Sequence, residues 1–121
     1  MIKTMLTKVF GSRHERMVKQ LRPLLREIAT HEERLGQMSE EELRGQTAVF
    51  RGRLAERCGD LKAEVERLRE EKHHCADPAE REQLEARFHE AETAYKKAVA
   101  ETLDALLPEV FATVREACRR L

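Results

Sequence analysis

The chain has 121 residues, 38% of them charged, and its 23 lysines and arginines are matched by 23 aspartates and glutamates. This length suits one domain or part of one, and only 5 glycines and 3 prolines argue against a turn-dense sandwich or barrel. No apolar run approaches the roughly 18 residues of a transmembrane helix, and the N-terminus lacks the apolar core and cleavage site of a signal peptide. We therefore expect an all-α, cytoplasmic protein with free thiols.

Residues 1–12 form the first predicted element, an amphipathic arm. Its apolar residues recur at helical spacing and form one stripe: Ile2, Met5, Leu6, Val9 and Phe10. Gly11 can end this helix and Ser12 can cap the next one. Because so short a helix is marginally stable in water, the arm needs a surface to lie on. That surface is this protein or a second copy of it, or else a membrane or partner protein, which the basic polar face favours.

A second helix is predicted from Arg13, with an apolar face made of Met17, Leu21, Leu24, Leu25, Ile28 and Leu35. Pro23 lies inside it, and because the apolar phase continues past the proline we expect a kink and not a stop. Residues 1–26 contain seven basic residues and one acidic residue, a net charge of +6 that the remaining residues offset with −6. This basic segment can bind the phosphates of lipid headgroups. We expect no nucleic-acid partner, because no aromatic residue interleaves with the basic run 13–26.

Residues typical of helix ends predict where the following helices begin. Gly36 breaks the second helix, and Ser39 with Glu42 forms a capping box for a helix that carries Leu43, Phe50 and Leu54. Near the C-terminus, Pro108 is predicted to start a last helix, whose apolar residues are Val110, Phe111, Val114, Ala117, Cys118 and Leu121.

Between these helices the apolar residues follow a heptad spacing. The first stretch contains Leu61, Val65, Leu68, Lys72 and Cys75. Asp77 and Pro78 then begin a returning helix, whose heptad positions are Leu84, Phe88, Ala91, Tyr95, Ala98 and Thr102. Two stretches of matched length joined by a short turn predict an antiparallel coiled-coil hairpin. Irregular spacing near Cys58 marks a junction at its base.

No constellation for catalysis occurs in the sequence, which has no G-x-x-x-x-G-K-[ST] loop and no His-Glu-x-x-His motif. His73, His74 and Cys75 are adjacent, but neighbouring helical residues do not share a face and a fourth metal ligand is missing. We therefore predict no catalytic, cofactor-binding or metal-binding residue in this chain.

Three segments together resemble the N-terminus of the SecA family, the ATPase motors of bacterial preprotein secretion. They are residues 6–13 (LTKVFGSR), residues 38–54 (MSEEELRGQT, then FR and RL) and residues 106–120 (LLPEVFA, then VREA and a final arginine). In the common family pattern the segment from about residue 55 to residue 100 has no counterpart. We interpret this segment as an inserted hairpin of unknown role.

The resemblance implies a motor on the cytoplasmic face of the bacterial inner membrane, which binds the SecYEG channel and anionic lipid and moves unfolded preproteins with ATP and Mg. It implies that the N-terminus makes the membrane or channel contacts, which we assign to Ile2, Lys3, Leu6, Lys8, Val9, Phe10, Arg13 and Arg16. The family's nucleotide-contacting motifs lie beyond Leu121, so no ATP-contacting residue is carried onto this chain. The rest of the motor and a homodimer are further expected partners.

The predicted organisation therefore has four parts. Residues 1–12 form the arm, 13–54 the SecA-like N-terminal helices, 55–100 the inserted hairpin, and 101–121 the start of a motor-core helix. The alternative is a free-standing coiled-coil interaction protein that self-associates through its hairpin.

Overall fold

A computed structural model of the protein describes residues 2, 4–6 and 11–121. Residues 2 and 4–6 are helical, and four helices follow: α1 (Arg13–Leu35), α2 (Glu40–Arg44), α3 (Gln46–His74) and α4 (Pro78–Arg120). The described residues contain no strand. The predicted all-α class is thereby confirmed.

The helices form two compact units. Unit 1 consists of Met1–Leu43 and Pro108–Leu121, and unit 2 consists of Arg44–Leu107. Helix α4 contributes residues to both units. The four-part organisation expected from the sequence stays a prediction.

Helix α1 begins and ends where the sequence indicates. The Ser12 hydroxyl accepts from the Glu15 amide at 3.2 Å, and the Glu15 carboxylate accepts from the Ser12 amide at 2.6 Å, which completes a capping box. Gly11, which precedes the box, has a φ of 72°, a left-handed conformation that favours glycine. The helix continues through Pro23 to Leu35, and the Gly36 amide then donates to the Glu32 carbonyl at 2.9 Å.

The starts of α2 and α4 also follow their predicted caps. The Ser39 hydroxyl accepts from the Glu42 amide at 3.1 Å, and the Glu42 carboxylate accepts from the Ser39 amide at 2.8 Å. At the turn between α3 and α4, the Asp77 carboxylate accepts from the Ala79 amide at 3.2 Å. Each cap satisfies amides that the first helical turn leaves without a partner.

The prediction that a last helix starts at Pro108 is wrong, because α4 is continuous from Pro78 to Arg120. A proline inside a helix removes one backbone hydrogen bond. Leu106 before it and Ala112 after it are both buried, and we attribute the continuity to packing on each side of the proline.

The core of unit 1 is formed by apolar residues of α1, α2 and the end of α4. Its buried members are Ile28, Leu35, Leu43 and Ala112, against which Leu24, Met38 and Ala117 pack. Two stretches that are far apart in sequence, residues 24–43 and 112–117, therefore meet in a single small core.

In unit 2, α3 and α4 run antiparallel. Lys72 Nζ lies 2.6 Å from Glu85 Oε2 near the turn, and Cys58 Sγ lies 3.7 Å from Thr102 Oγ1 farther from it. The side chains at all the predicted heptad positions of both helices are buried or half-buried. The predicted seam is therefore the packing surface, whereas coiled-coil geometry itself stays a prediction.

Candidate functional site

The eight residues predicted to make membrane or channel contacts divide into those that the structure describes and those that it does not. Lys3, Lys8, Val9 and Phe10 lie outside the described residues. Ile2 and Leu6 are helical and 79% and 51% exposed, and Met5 beside them is 76% exposed. Arg13 and Arg16 are exposed in the first turn of α1. All four described members of the predicted site are thus accessible to a partner.

The capping box determines the electrostatics at the start of α1. Because Ser12 is the N-cap, Arg13 and Arg16 stand where the helix macrodipole carries its positive end. Glu15 is the one acidic residue of the first turn, and its carboxylate is engaged by the Ser12 amide. Positive charge is therefore concentrated at this end of the helix, an arrangement that favours a nearby anion.

The apolar face of α1 has two different environments. In its C-terminal half, Ile28 and Leu35 are buried in the core of unit 1. Closer to its N-terminus, large apolar side chains of the helix are about half exposed: Met17, Val18, Leu21 and Leu25. The sequence predicts the apolar face of α1. It does not indicate how much of that face the rest of unit 1 buries.

The end of α4 presents a second uncovered apolar surface in unit 1. Ala112 and Glu116 are buried, whereas Phe111 and Val114 are 48% and 55% exposed and Leu121 is fully exposed. Phe111 and Val114 are three residues apart, which places them on one side of α4. Neither this surface nor the exposed half of the α1 face was among the predicted site residues.

Ion pairs connect the two helices of unit 1. The Arg34 guanidinium donates to the Glu109 carboxylate, and Arg115 Nε lies 2.9 Å from Glu32 Oε1. The Arg120 guanidinium donates to three main-chain carbonyls at the end of α1 and in the following turn, at 3.1 Å for Leu35, 3.5 Å for Gly36 and 2.8 Å for Met38.

The buried carboxylate of Glu116 orients Arg120. Arg119 donates to it through Nε at 2.9 Å and Nη2 at 2.7 Å, and Arg120 donates through Nε at 2.7 Å. These hydrogen bonds lower the pKa of Glu116 to about 2. The carboxylate is therefore ionised at every physiological pH. These contacts hold the uncovered surfaces of α1 and α4 in one unit.

Two other kinds of site are absent from the described residues. Among residues 2, 4–6 and 11–121, no helix has both the length and the apolarity needed to cross a bilayer. Within the same ranges, no group of three or more His, Cys, Asp or Glu side chains is placed to hold a metal ion. The expectation that ATP and Mg are bound elsewhere in full-length relatives stays a prediction.

Comparison with known proteins identifies the family. A family model described as the SecA DEAD-like domain matches residues 6–121. The chain belongs to the SecA family. Relatives in this family include three described as protein translocase subunit SecA, from Salinibacter ruber (32% identical), Acidobacterium capsulatum (36%) and Syntrophotalea carbinolica (34%).

These SecA alignments cover most or all of this chain but only a small part of each relative. They cover 93% of this chain for the S. ruber relative and 100% for the other two, over 121 residues in the latter cases. The interpretation of residues 55–100 as an inserted hairpin stays a prediction. The chain spans only 9 to 12% of their length. No solved structure matches the chain.

Proposed function

We propose that this chain serves as the N-terminal part of a SecA-type preprotein translocase and that its role is attachment. In this proposal, residues 1–26 bind anionic lipid and the SecYEG channel at the cytoplasmic face of the inner membrane. Unit 1 packs against the ATP-driven motor, and the rest of the translocase supplies nucleotide binding. The observation that carries the proposal is the family match over residues 6–121. It is supported by residues 1–26, where exposed apolar side chains and basic side chains occur together.

Two forces support attachment through the N-terminus. Ile2, Met5 and Leu6 are exposed, and burying such side chains contributes roughly 1.5–3 kcal/mol each when burial is complete. A basic residue close to an anionic surface adds about 1 kcal/mol, and residues 1–26 carry a net charge of +6. Partial burial of a few side chains together with this charge is enough for reversible binding.

Packing against a larger body is supported by the surface of unit 1. Phe111 and Val114 on α4 are about half exposed, as are Leu21 and Leu25 on α1. Exposed apolar surface of this kind commonly marks a protein or membrane contact. We infer that the α4 surface packs on the motor and that the α1 surface continues the attachment segment.

Vesicle flotation tests the attachment role. Wild-type chain should float with vesicles of phosphatidylglycerol and phosphatidylcholine and should not float with phosphatidylcholine alone, because the lipid charge supplies part of the binding energy. Reversal of four N-terminal charges to glutamate should abolish recovery with the anionic vesicles: Lys3, Lys8, Arg13 and Arg16. A matched control reverses four exposed charges of unit 2, which should leave recovery unchanged: Arg57, Arg87, Lys96 and Lys97.

The outcomes separate attachment from its alternatives. If the N-terminal variant floats as well as wild type, or if wild type never floats, the attachment role is wrong. The free-standing coiled-coil alternative predicts a dimer that is lost when residues 58–98 are deleted. Sedimentation of the full chain and of that deletion measures this directly.

A further inference from the structure

Unit 2 contains an apolar groove along one flank of α3, with a volume of about 250 Å³. Leu54 and Cys58 line it from α3, and Tyr95 lines it from α4. Cys58 is buried, whereas Leu54 and Tyr95 are half-buried. The volume is smaller than the roughly 300–1,000 Å³ of a drug-sized ligand pocket. The groove therefore suits one or two protruding side chains better than a whole cofactor.

Two small residues keep the groove open. Ala55 and Gly59 line it one turn apart on α3. A Cβ atom added to Gly59 would meet nothing within 4 Å, so this glycine borders free space and not a neighbouring side chain. A large side chain from another molecule can enter between these positions, as knobs enter holes in helix packing.

Two cationic residues line the same groove. Arg51 and Lys62 are eleven residues apart, which is about 16 Å along a helix and close to a whole number of turns. They consequently lie on one side of α3. Arg51 forms no ion pair with any of the described residues, and Lys62 has only a 3.9 Å contact with the exposed Glu66. Both charges are available to carboxylates of a partner.

We propose that this groove binds an acidic amphipathic helix of a partner protein, which inserts a large apolar side chain between Ala55 and Gly59 and pairs its carboxylates with Arg51 and Lys62. A helix laid beside α3 can present two acidic residues eleven positions apart on one line, with an apolar residue between them. Charge complementarity selects this occupant, because an isolated acyl chain would leave at least one cation unpaired. The proposal is independent of attachment through residues 1–26.

Fluorescence anisotropy with synthetic helices tests the proposal on the full chain. The labelled peptides carry two glutamates eleven residues apart around a central Leu, Phe or Met, and matched peptides carry two lysines in place of the glutamates. At least one acidic peptide should bind wild type about tenfold more tightly than its lysine counterpart. Gly59→Leu should weaken binding about tenfold or more by filling the groove. This variant should remain folded, because replacing a helical glycine with leucine raises helix propensity.

Matched variants separate the groove from general surface effects. The double reversal Arg51→Glu with Lys62→Glu should also weaken binding about tenfold or more. Ala94→Leu adds bulk at an exposed helical position outside the groove and should leave affinity unchanged, as should the double reversal of the exposed Arg57 and Arg87.

Three results would overturn the proposal. The first is that no acidic peptide binds, or that the lysine peptides bind as tightly. The second is that Gly59→Leu leaves affinity unchanged or that Ala94→Leu lowers it equally. The third is that wild type is a dimer which Gly59→Leu converts to a monomer, since the occupant would then be a second copy of this chain.

Discussion

Replacing Leu68 with alanine is the most direct test of how α3 and α4 pack in unit 2. It lies in the seam between α3 and α4 and is 1% exposed. Leu68→Ala removes three carbon atoms, which at about 0.8 kcal/mol each amounts to about 2.4 kcal/mol of lost transfer energy. The cavity left behind raises the cost toward the roughly 2.7–5 kcal/mol measured for buried Leu→Ala changes. We expect a loss of about 3 kcal/mol.

Urea unfolding measures this loss, and the chain offers a probe for unit 2 alone. Tyr95 is the only tyrosine and the chain has no tryptophan, so tyrosine fluorescence reports unit 2 while circular dichroism reports all helices. With an m-value of roughly 1–3 kcal/mol/M, the midpoint seen by Tyr95 should fall by about 1–3 M.

Leu103→Ala is the matched control, because Leu103 is also in unit 2 but is 50% exposed. We expect it to cost at most about 1 kcal/mol. Equal losses for Leu68→Ala and Leu103→Ala would refute the inference that the heptad positions form the packed seam. So would a Leu68→Ala loss below about 1 kcal/mol.

Two further predictions concern charged contacts. Glu116→Gln should lower the melting temperature at pH 7, because the carboxylate that orients Arg120 is lost. Since the folded pKa of Glu116 is about 2 and its ordinary value is near 4.5, wild type keeps this stabilisation above about pH 4.5 and loses it as the pH falls through 2. The wild-type and variant melting curves should therefore converge near pH 2, and a gap that persists there would contradict the assignment. In unit 2, Lys72 Nζ lies 4.6 Å from the centre of the Phe88 ring, so Phe88→Leu should cost about 0.5–1 kcal/mol beyond lost burial. A double-mutant cycle with Lys72→Met isolates this pair, and a coupling energy near zero would refute it.

Local chemistry made the helix starts predictable from the sequence. A cap needs only a serine or aspartate and the amides of the following turn, and Ser12, Ser39 and Asp77 all act as expected. The heptad positions were also predictable, because they follow from the geometry of one helix against another.

Features that depend on distant residues could not be predicted in the same way. The sequence around Pro108 predicts a helix start, but α4 continues through this proline. The side chains that pack around Pro108 come from residues far away in sequence. The sequence predicts one continuous apolar face for α1, but of its residues only Ile28 and Leu35, in the C-terminal half, are buried. Periodicity defines a face and does not say which part of it the fold covers.

The contacts of Arg120 with the end of α1 have a consequence for synthesis of the protein. Unit 2 is one uninterrupted stretch, whereas the core of unit 1 joins Leu43 and earlier residues to a segment that begins at Pro108. A ribosome must therefore translate through Arg120 before α1 acquires its partner. At about 5–20 residues per second, that interval lasts roughly 4–15 s after Leu43 is made. Over this time the apolar face of nascent α1 lacks the part of its core that α4 supplies. The hairpin is made after α1, but its sequence is complete before the core of unit 1 can close.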